Sequence, residues 1–398
     1  MRTRIWVCLA MAALCLTGCS GFWKAPSNGG GGGGGGGTTL SSGDFYVINA
    51  QTSEVAGLYV KAGKVTALGS TYKLSASPIA ITVAPNNKFL YVSTLGGIFV
   101  YTIDASTGLL TLGNTGQPIS QDPATSMQVD STNSWLVEGF SGTSTLFAIH
   151  INPNNGLLQA NLEQPVALPS SGIRQVAISP DNTTVLVAMG TGGTATIPFN
   201  AGIANPFGNV GTIAPAGAVG AAQSVAFDPI PTGGTAPRLF YIGETVAVGA
   251  TSTDANTGGL RAFIYGTKQE VTGSPFRIGG LAPYSILPFS DGNYVYVVSR
   301  QTASTSAGST GVIAGFSITN TNNALGLTAL GSTFNAGTHP QSMVEDSTKQ
   351  FVFVVNFDAN PDLLGYTIDA TNAGYLDQVV SSQTGTDPVQ ASAVAAVH

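Results

Sequence analysis

This chain is constrained above all by repeating itself. Segments opening at Pro78, Pro123, Ile173, Ala222, Pro283, Pro340 and Pro388 share one pattern, an apolar-rich run closed by a turn residue, and recur 45 to 61 residues apart. A four-stranded propeller blade has that period. Each segment leads into a turn such as Pro85-Asn86-Asn87 or Pro180-Asp181-Asn182, then into a second run such as Phe89-Leu90-Tyr91-Val92, Trp135-Leu136-Val137 or Phe351-Val352-Phe353-Val354-Val355. A third run alternates, as in Ile98 to Ile103, and a turn and a short outer run close the unit. Unbroken apolar runs predict second strands buried between neighbouring sheets, and alternation predicts third strands with one exposed face.

The two ends of the repeat complete each other. Its first recognisable run, Phe45-Tyr46-Val47-Ile48, is of second-strand type, and the segment from Pro388 to His398 is a first strand with nothing after it. Joined, they make one blade, which brings the count to seven and leaves no open sheet edge at the seam. The expected fold is therefore all-β: a seven-bladed propeller of four-stranded antiparallel blades over residues 44–398, its ring closed by C-terminal strand pairing with the N-terminal blade. Tandem sandwiches do not explain the split unit, and a transmembrane barrel would alternate more strictly.

Composition narrows the partners. Only 9% of residues are charged, the net charge is −6, and 52 residues are Gly. A surface covered by Gly, Ser, Thr and Asn suits strands and turns. The scarcity of Lys and Arg argues against a nucleic-acid partner.

The first residues read as an address. Met1 to Arg4 is a short basic stretch, Ile5 to Leu16 an unbroken apolar run, and Leu16-Thr17-Gly18-Cys19 resembles the bacterial lipobox. The run is short of the roughly 20 residues that span a bilayer and fits a secretory signal. Residues 1–18 are thus expected to be a signal peptide and Cys19 the site of lipid attachment. Residues 19–42, with glycine at every position from Gly29 to Gly37, are expected to be a flexible tether. Cys8 and Cys15 leave with the signal, so neither a disulfide nor a Cys-ligated metal is expected. Ser20 stands where an Asp retains comparable lipoproteins at the inner membrane, which favours the outer membrane, on its periplasmic or surface face. The expected partners are the membrane, through the anchor, and a small molecule or envelope protein; a monomer and no cofactor are expected.

Leu90-Tyr91-Val92-Ser93, Tyr294-Val295-Tyr296-Val297-Val298, Phe353-Val354-Val355-Asn356 and the stretch from Tyr366 to Gly374 resemble the lactonase-type seven-bladed propellers, a group with 6-phosphogluconolactonase-like and YVTN-repeat proteins. That resemblance implies the propeller fold and, for the enzyme members, hydrolysis of a lactone carboxylic ester. Members commonly carry His-Pro-Arg at the start of an inner strand; His339-Pro340-Gln341 keeps the first two residues and lacks the Arg.

Topology supplies candidates without the family. In a blade, the start of the innermost strand and the end of the second lie at one face, where propellers commonly take ligands. Those positions hold Arg174 and His339 at first-strand starts, and Asn49, Ser93, Glu138, Glu244, Arg300 and Asn356 at second-strand ends. Two readings follow. In the first, the chain is a binding or scaffold module whose channel mouth and long loops (230–237, 246–259, 301–311) hold a ligand, with Asn49, Ser93 and Asn356 as contacts. In the second it is a lactone hydrolase. His339, Glu138 or Glu244 then activates water for attack on the ring carbonyl, and Arg300 or Arg174 stabilises the oxyanion.

Overall fold

The computed structural model describes residues 40–249, 257–300, 310–321, 324–357, 361–369, 371–382 and 390–398. The expected signal peptide, Cys19 and most of the expected tether lie outside them, as do half of the loop 246–259 and most of the loop 301–311. Among the described residues no helix is long and apolar enough to cross a membrane.

Seven antiparallel sheets follow one another along the chain, each with four principal strands, and form the predicted seven-bladed β-propeller. Blade 1 takes its innermost strand, Ala391–Ala396, from the other end of the chain; this strand pairs with Phe45–Asn49 in the register Phe45↔Ala396. The innermost strands of blades 2 to 7 are Pro78–Val83, Ser126–Val129, Gln175–Ile178, Ala221–Phe227, Ala282–Pro288 and Pro340–Glu345. Their inner edges surround a central channel.

The second strands carry the core. Phe45–Asn49, Phe89–Thr94, Trp135–Gly139 and Phe351–Asn356 are buried at every position, because each faces a neighbouring blade on both sides. Continuous apolar runs are what such doubly covered strands require. The core is divided accordingly into clusters that each lie between adjacent blades, such as Tyr91, Phe89 and Val100 of blade 2 against Leu136 and Ile149 of blade 3.

A recurrent polar device sits inside this apolar layer. The Tyr46 hydroxyl donates to the Gly108 carbonyl of the next blade at 2.7 Å, Tyr91 to Gly156 at 2.9 Å, and Tyr296 to Gly374 at 2.9 Å. Trp135 does the same from two positions earlier on its strand, its Nε1 donating to the Ala201 carbonyl at 3.0 Å. Each acceptor lies in the turn between the third and outer strands. A buried hydroxyl must find a partner, so the repeated Tyr of the second strand fixes where the next blade's turn comes to rest.

At the face away from the second-strand ends, the turns leaving the innermost strands form a belt. Asp130 Oδ1 accepts the backbone N–H of Ser134 and Trp135, and Asp346 Oδ1 those of Gln350 and Phe351. Asn87, Asn133 and Asn182 adopt positive φ of 58°, 60° and 55° in these turns, a conformation Asn tolerates better than most residues. All seven blade junctions are bridged at this face: His398 to Asn87, Asn86 to Asn133, Ser131 to Asn182, Tyr265 to Asp181, Arg238 to Gly292, Ser290 to Glu345, and Gly43 to Asp346. The bridging residues come mainly from short turns, so this face is tied throughout.

Candidate functional site

At the opposite face the innermost strands share an irregularity. In five of the seven, the pairing with the second strand breaks at one place: between Pro78 and Ala80, Ala222 and Ser224, Pro283 and Ser285, Pro340 and Ser342, and Ala391 and Ala393. The residue skipped in each is Ile79, Gln223, Tyr284, Gln341 or Ser392. A β-bulge leaves its extra residue outside the ladder and re-aims the side chain. All five line the central channel, together with Thr125 and Arg174, which hold the same place where the ladders of blades 3 and 4 begin. The result is a ring of one residue per blade around the mouth.

Behind the ring lies a cavity of about 640 Å³. Its walls are satisfied from blade to blade: Ser126 Oγ accepts the Val176 N–H at 3.0 Å, Gln128 Oε1 that of Ile178 at 2.8 Å, and Gln175 Oε1 that of Val225 at 3.0 Å. Innermost strands expose one edge to the channel, and these side chains pair edge groups that lack a strand partner. The amides of Gln223 and Gln341, higher up, make no hydrogen bond among the described residues and are left for a ligand or water. The far end is lined by Val83, Phe227 and His398. The His398 backbone is held by Asn87, which accepts its N–H at 2.8 Å and donates to its carbonyl at 2.8 Å.

The mouth is positively polarised. Arg174 is exposed, lines the channel and makes no ion pair among the described residues. Its Nε passes so close to Gly190 that a Cβ there would lie 3.6 Å from it. Arg300 is 5% exposed and stacks its guanidinium carbon 3.8 Å from the centroid of the Tyr284 ring. A guanidinium over a Tyr face is held by the ring quadrupole, so Arg300 backs the ring residue without entering the channel.

The sequence-predicted residues divide sharply. Arg174 alone among them lines the cavity. Asn49, Ser93, Glu138, Glu244, Arg300 and Asn356 are buried and absent from the channel wall, because second strands lie behind the innermost strands, with a neighbouring sheet on either side. Arg300, His339 and Asn356 do gather at the junction of blades 6 and 7. Arg300 Nε donates to the Pro340 carbonyl at 3.4 Å, and Asn356 packs on Gly337, where a Cβ would lie 2.7 Å from Nδ2. His339 is 1% exposed with φ of 52°. Asn49 Oδ1 closes its own turn, accepting the N–H of Gln51 and Thr52 at 2.9 Å each.

The two glutamates lie elsewhere. Glu244 Oε2 is bound at 2.7 Å by Nε of Arg261, which is fully buried and also holds Glu270 Oε1 at 2.8 Å through its Nη1. Arg261 further donates to the carbonyls of Ala216 and Ala218, and Glu244 accepts the Gly220 N–H, so this ion cluster clamps the loop before the innermost strand of blade 5. Glu138 is at the junction of blades 2 and 3, 2% exposed, with Oε2 unpaired among the described residues. Burial first, and then Glu163 and Asp122, push its carboxyl up to about 8. Its side chain lies between blades and does not line the channel, so it cannot reach a water held there.

Sequence reasoning passed over Gln223, Tyr284, Gln341 and His398. The first three were readable as a column: Gln223-Ser224, Tyr284-Ser285, Gln341-Ser342 and Thr125-Ser126 each place a large or polar side chain before a serine at the same point of the repeat. Nothing in a single sequence signals that His398 returns to the channel.

Comparison with known proteins agrees with the fold. Residues 43–176 match the family model described as Lactonase, 7-bladed beta-propeller. A candidate 6-phosphogluconolactonase from Bacteroides fragilis superposes with a TM-score of 0.67 at 16% identity, covering 90% of this chain and 98% of its own. A similar candidate from Bacteroides uniformis gives 0.64 at 15% identity, over 86% and 98%. The periplasmic gluconolactonase of Pseudomonas aeruginosa gives 0.59 at 14% identity, over 88% and 100%. Identities this low establish a shared architecture, and fold alone does not transfer an activity. No curated protein sequence matches the chain.

Proposed function

We propose that this protein is a ligand-binding propeller, carried on the bacterial cell envelope by a lipid at Cys19, which takes a small polar molecule into the mouth of its channel. One observation carries this reading. Bulges in five blades aim Ile79, Gln223, Tyr284, Gln341 and Ser392 into one ring above a cavity of about 640 Å³, while the groups a hydrolase would need are dispersed. A general base must reach the water it activates. Glu244 is neutralised by Arg261, and Glu138 and His339 are buried away from the channel wall. The ring instead offers amide, hydroxyl, aromatic and guanidinium groups, which suit recognition.

Lactone hydrolysis is the second reading, favoured by the family model over residues 43–176 and by the likeness to a periplasmic gluconolactonase. In that case Arg174 polarises the lactone carbonyl and His339, two residues before Gln341 of the ring, supplies the base after a local rearrangement. Incubating the full-length chain in detergent with sugar lactones and homoserine lactones, with proton release followed beside His339→Ala, separates the two. No turnover by the folded protein leaves the binding module. Turnover lost in the variant replaces it with the hydrolase.

A further inference from the structure

The protein has 20 acidic residues against 14 Lys and Arg, yet among the described residues no Asp or Glu lines its channel. The carboxylates at the mouth end of the blades stand off the channel wall. Glu244 is locked in an ion cluster with Arg261, Glu138 and Asp362 are buried, Glu54 pairs with Lys73, and the exposed Asp122, on the loop before the innermost strand of blade 3, is not among the lining residues. What remains in the channel wall at the mouth is Arg174, exposed and without an ion pair among the described residues. Its neighbours on the ring are the neutral Thr125 and Gln223, and Tyr284 and Gln341 follow farther round, with Arg300 stacked on Tyr284 from behind.

Charge that enters such a cavity is discriminated by sign. A cation loses hydration and meets no carboxylate. A neutral polar molecule is offered only ordinary hydrogen bonds. A carboxylate gains a paired, charge-assisted contact with a planar guanidinium, roughly twice as strong as a neutral one. We propose that the channel mouth selects small monocarboxylates bearing further hydrogen-bonding groups, with the carboxylate on Arg174 and the neutral groups on Gln223 and Gln341. This rests on the reading of the channel as the ligand site and adds to it the ligand's charge and the residue that reads it.

The test uses full-length protein in detergent and three probes of nearly constant ring: N-acetylmuramate (anionic), N-acetylglucosamine (neutral) and glucosamine (cationic), titrated by calorimetry. N-acetylmuramate is expected to bind at least 10-fold more tightly than N-acetylglucosamine, glucosamine least, and the preference is expected to shrink as salt rises. Arg174→Gln removes that 10-fold preference while leaving the weak affinity for N-acetylglucosamine. Arg174→Lys retains part of it, and Lys88→Gln, a charge change on an exposed turn, leaves it intact. Equal affinity for the anionic and neutral probes, or a preference that survives Arg174→Gln in a variant of unchanged melting temperature, overturns the charge assignment but not the site. Binding of no probe overturns both.

Discussion

Replacing Glu138 by Gln is expected to stabilise the propeller in alkaline solution, the reverse of what loss of a functional carboxylate would do. Burial between blades 2 and 3, reinforced by Glu163 and Asp122, moves the Glu138 carboxyl from 4.5 to about 8. Between those values the folded chain holds a proton that the unfolded chain has released. Stability therefore falls as pH rises through that window and levels off above it. At about 1.36 kcal/mol per unit, ionising Glu138 costs on the order of 4 kcal/mol between pH 5 and pH 9. With an unfolding entropy of about 2.1 cal/mol/K per residue, a body of roughly 350 residues loses about 5 °C in Tm for that amount. Asp228, raised to about 6, and Glu345, also raised by burial, add to the pH dependence of both proteins and cancel in the comparison. Gln fills the same volume and is neutral at both pH values. Scanning calorimetry of the two proteins at pH 5 and pH 9 should show the parent losing about 5 °C more than Glu138→Gln, with the variant the more stable at pH 9. Parallel losses, or a variant less stable at pH 9, would mean that Glu138 is already ionised in the native state at pH 5 and that its burial does not hold the proton.

Other outcomes follow from the same geometry. Tyr91→Phe leaves the Gly156 carbonyl without its donor inside the core and is expected to cost about 1–2 kcal/mol by denaturant unfolding. Arg261→Met leaves Glu244 and Glu270 without their cation and is expected to cost about 3–5 kcal/mol, whereas the triple change that also makes both acids apolar should recover most of it. Gln341→Leu removes an amide from the mouth without touching the core; it should weaken ligand affinity several-fold at unchanged Tm, measured by titration and calorimetry together. Gly337→Ala places a methyl into Asn356 at a residue with φ of 82° and is expected to lower stability by more than 1 kcal/mol.

The architecture was legible because it is written seven times. A period near fifty residues, runs alternating between doubly buried and half-buried character, and a unit split between Phe45–Ile48 and the C-terminal segment all express one requirement: each sheet must be covered on both faces, and the ring must close. The buried role of Tyr91, Tyr296 and Trp135 was equally readable as inter-blade packing, since aromatic residues in an unbroken apolar run have nowhere else to go. The site depended on side-chain direction, which the strand period alone predicts wrongly here. Glu138, Glu244 and Asn356 are at the expected ends of the expected strands, but a second strand has a sheet on either side and sends its side chains into junctions. The channel belongs to the innermost strands, where a bulge breaks the two-residue period and turns Gln223, Tyr284 and Gln341 inward. Whether a charge is paired is likewise a matter of tertiary contacts. Arg261 and Glu244 are 17 residues apart on adjacent strands, and only the register Glu244↔Gly259 and the fold of the preceding loop bring them together. Local sequence sets which strands form and how many blades they make; the meeting of separate strands, governed by register and by the space between sheets, decides which of the few charged side chains face a ligand.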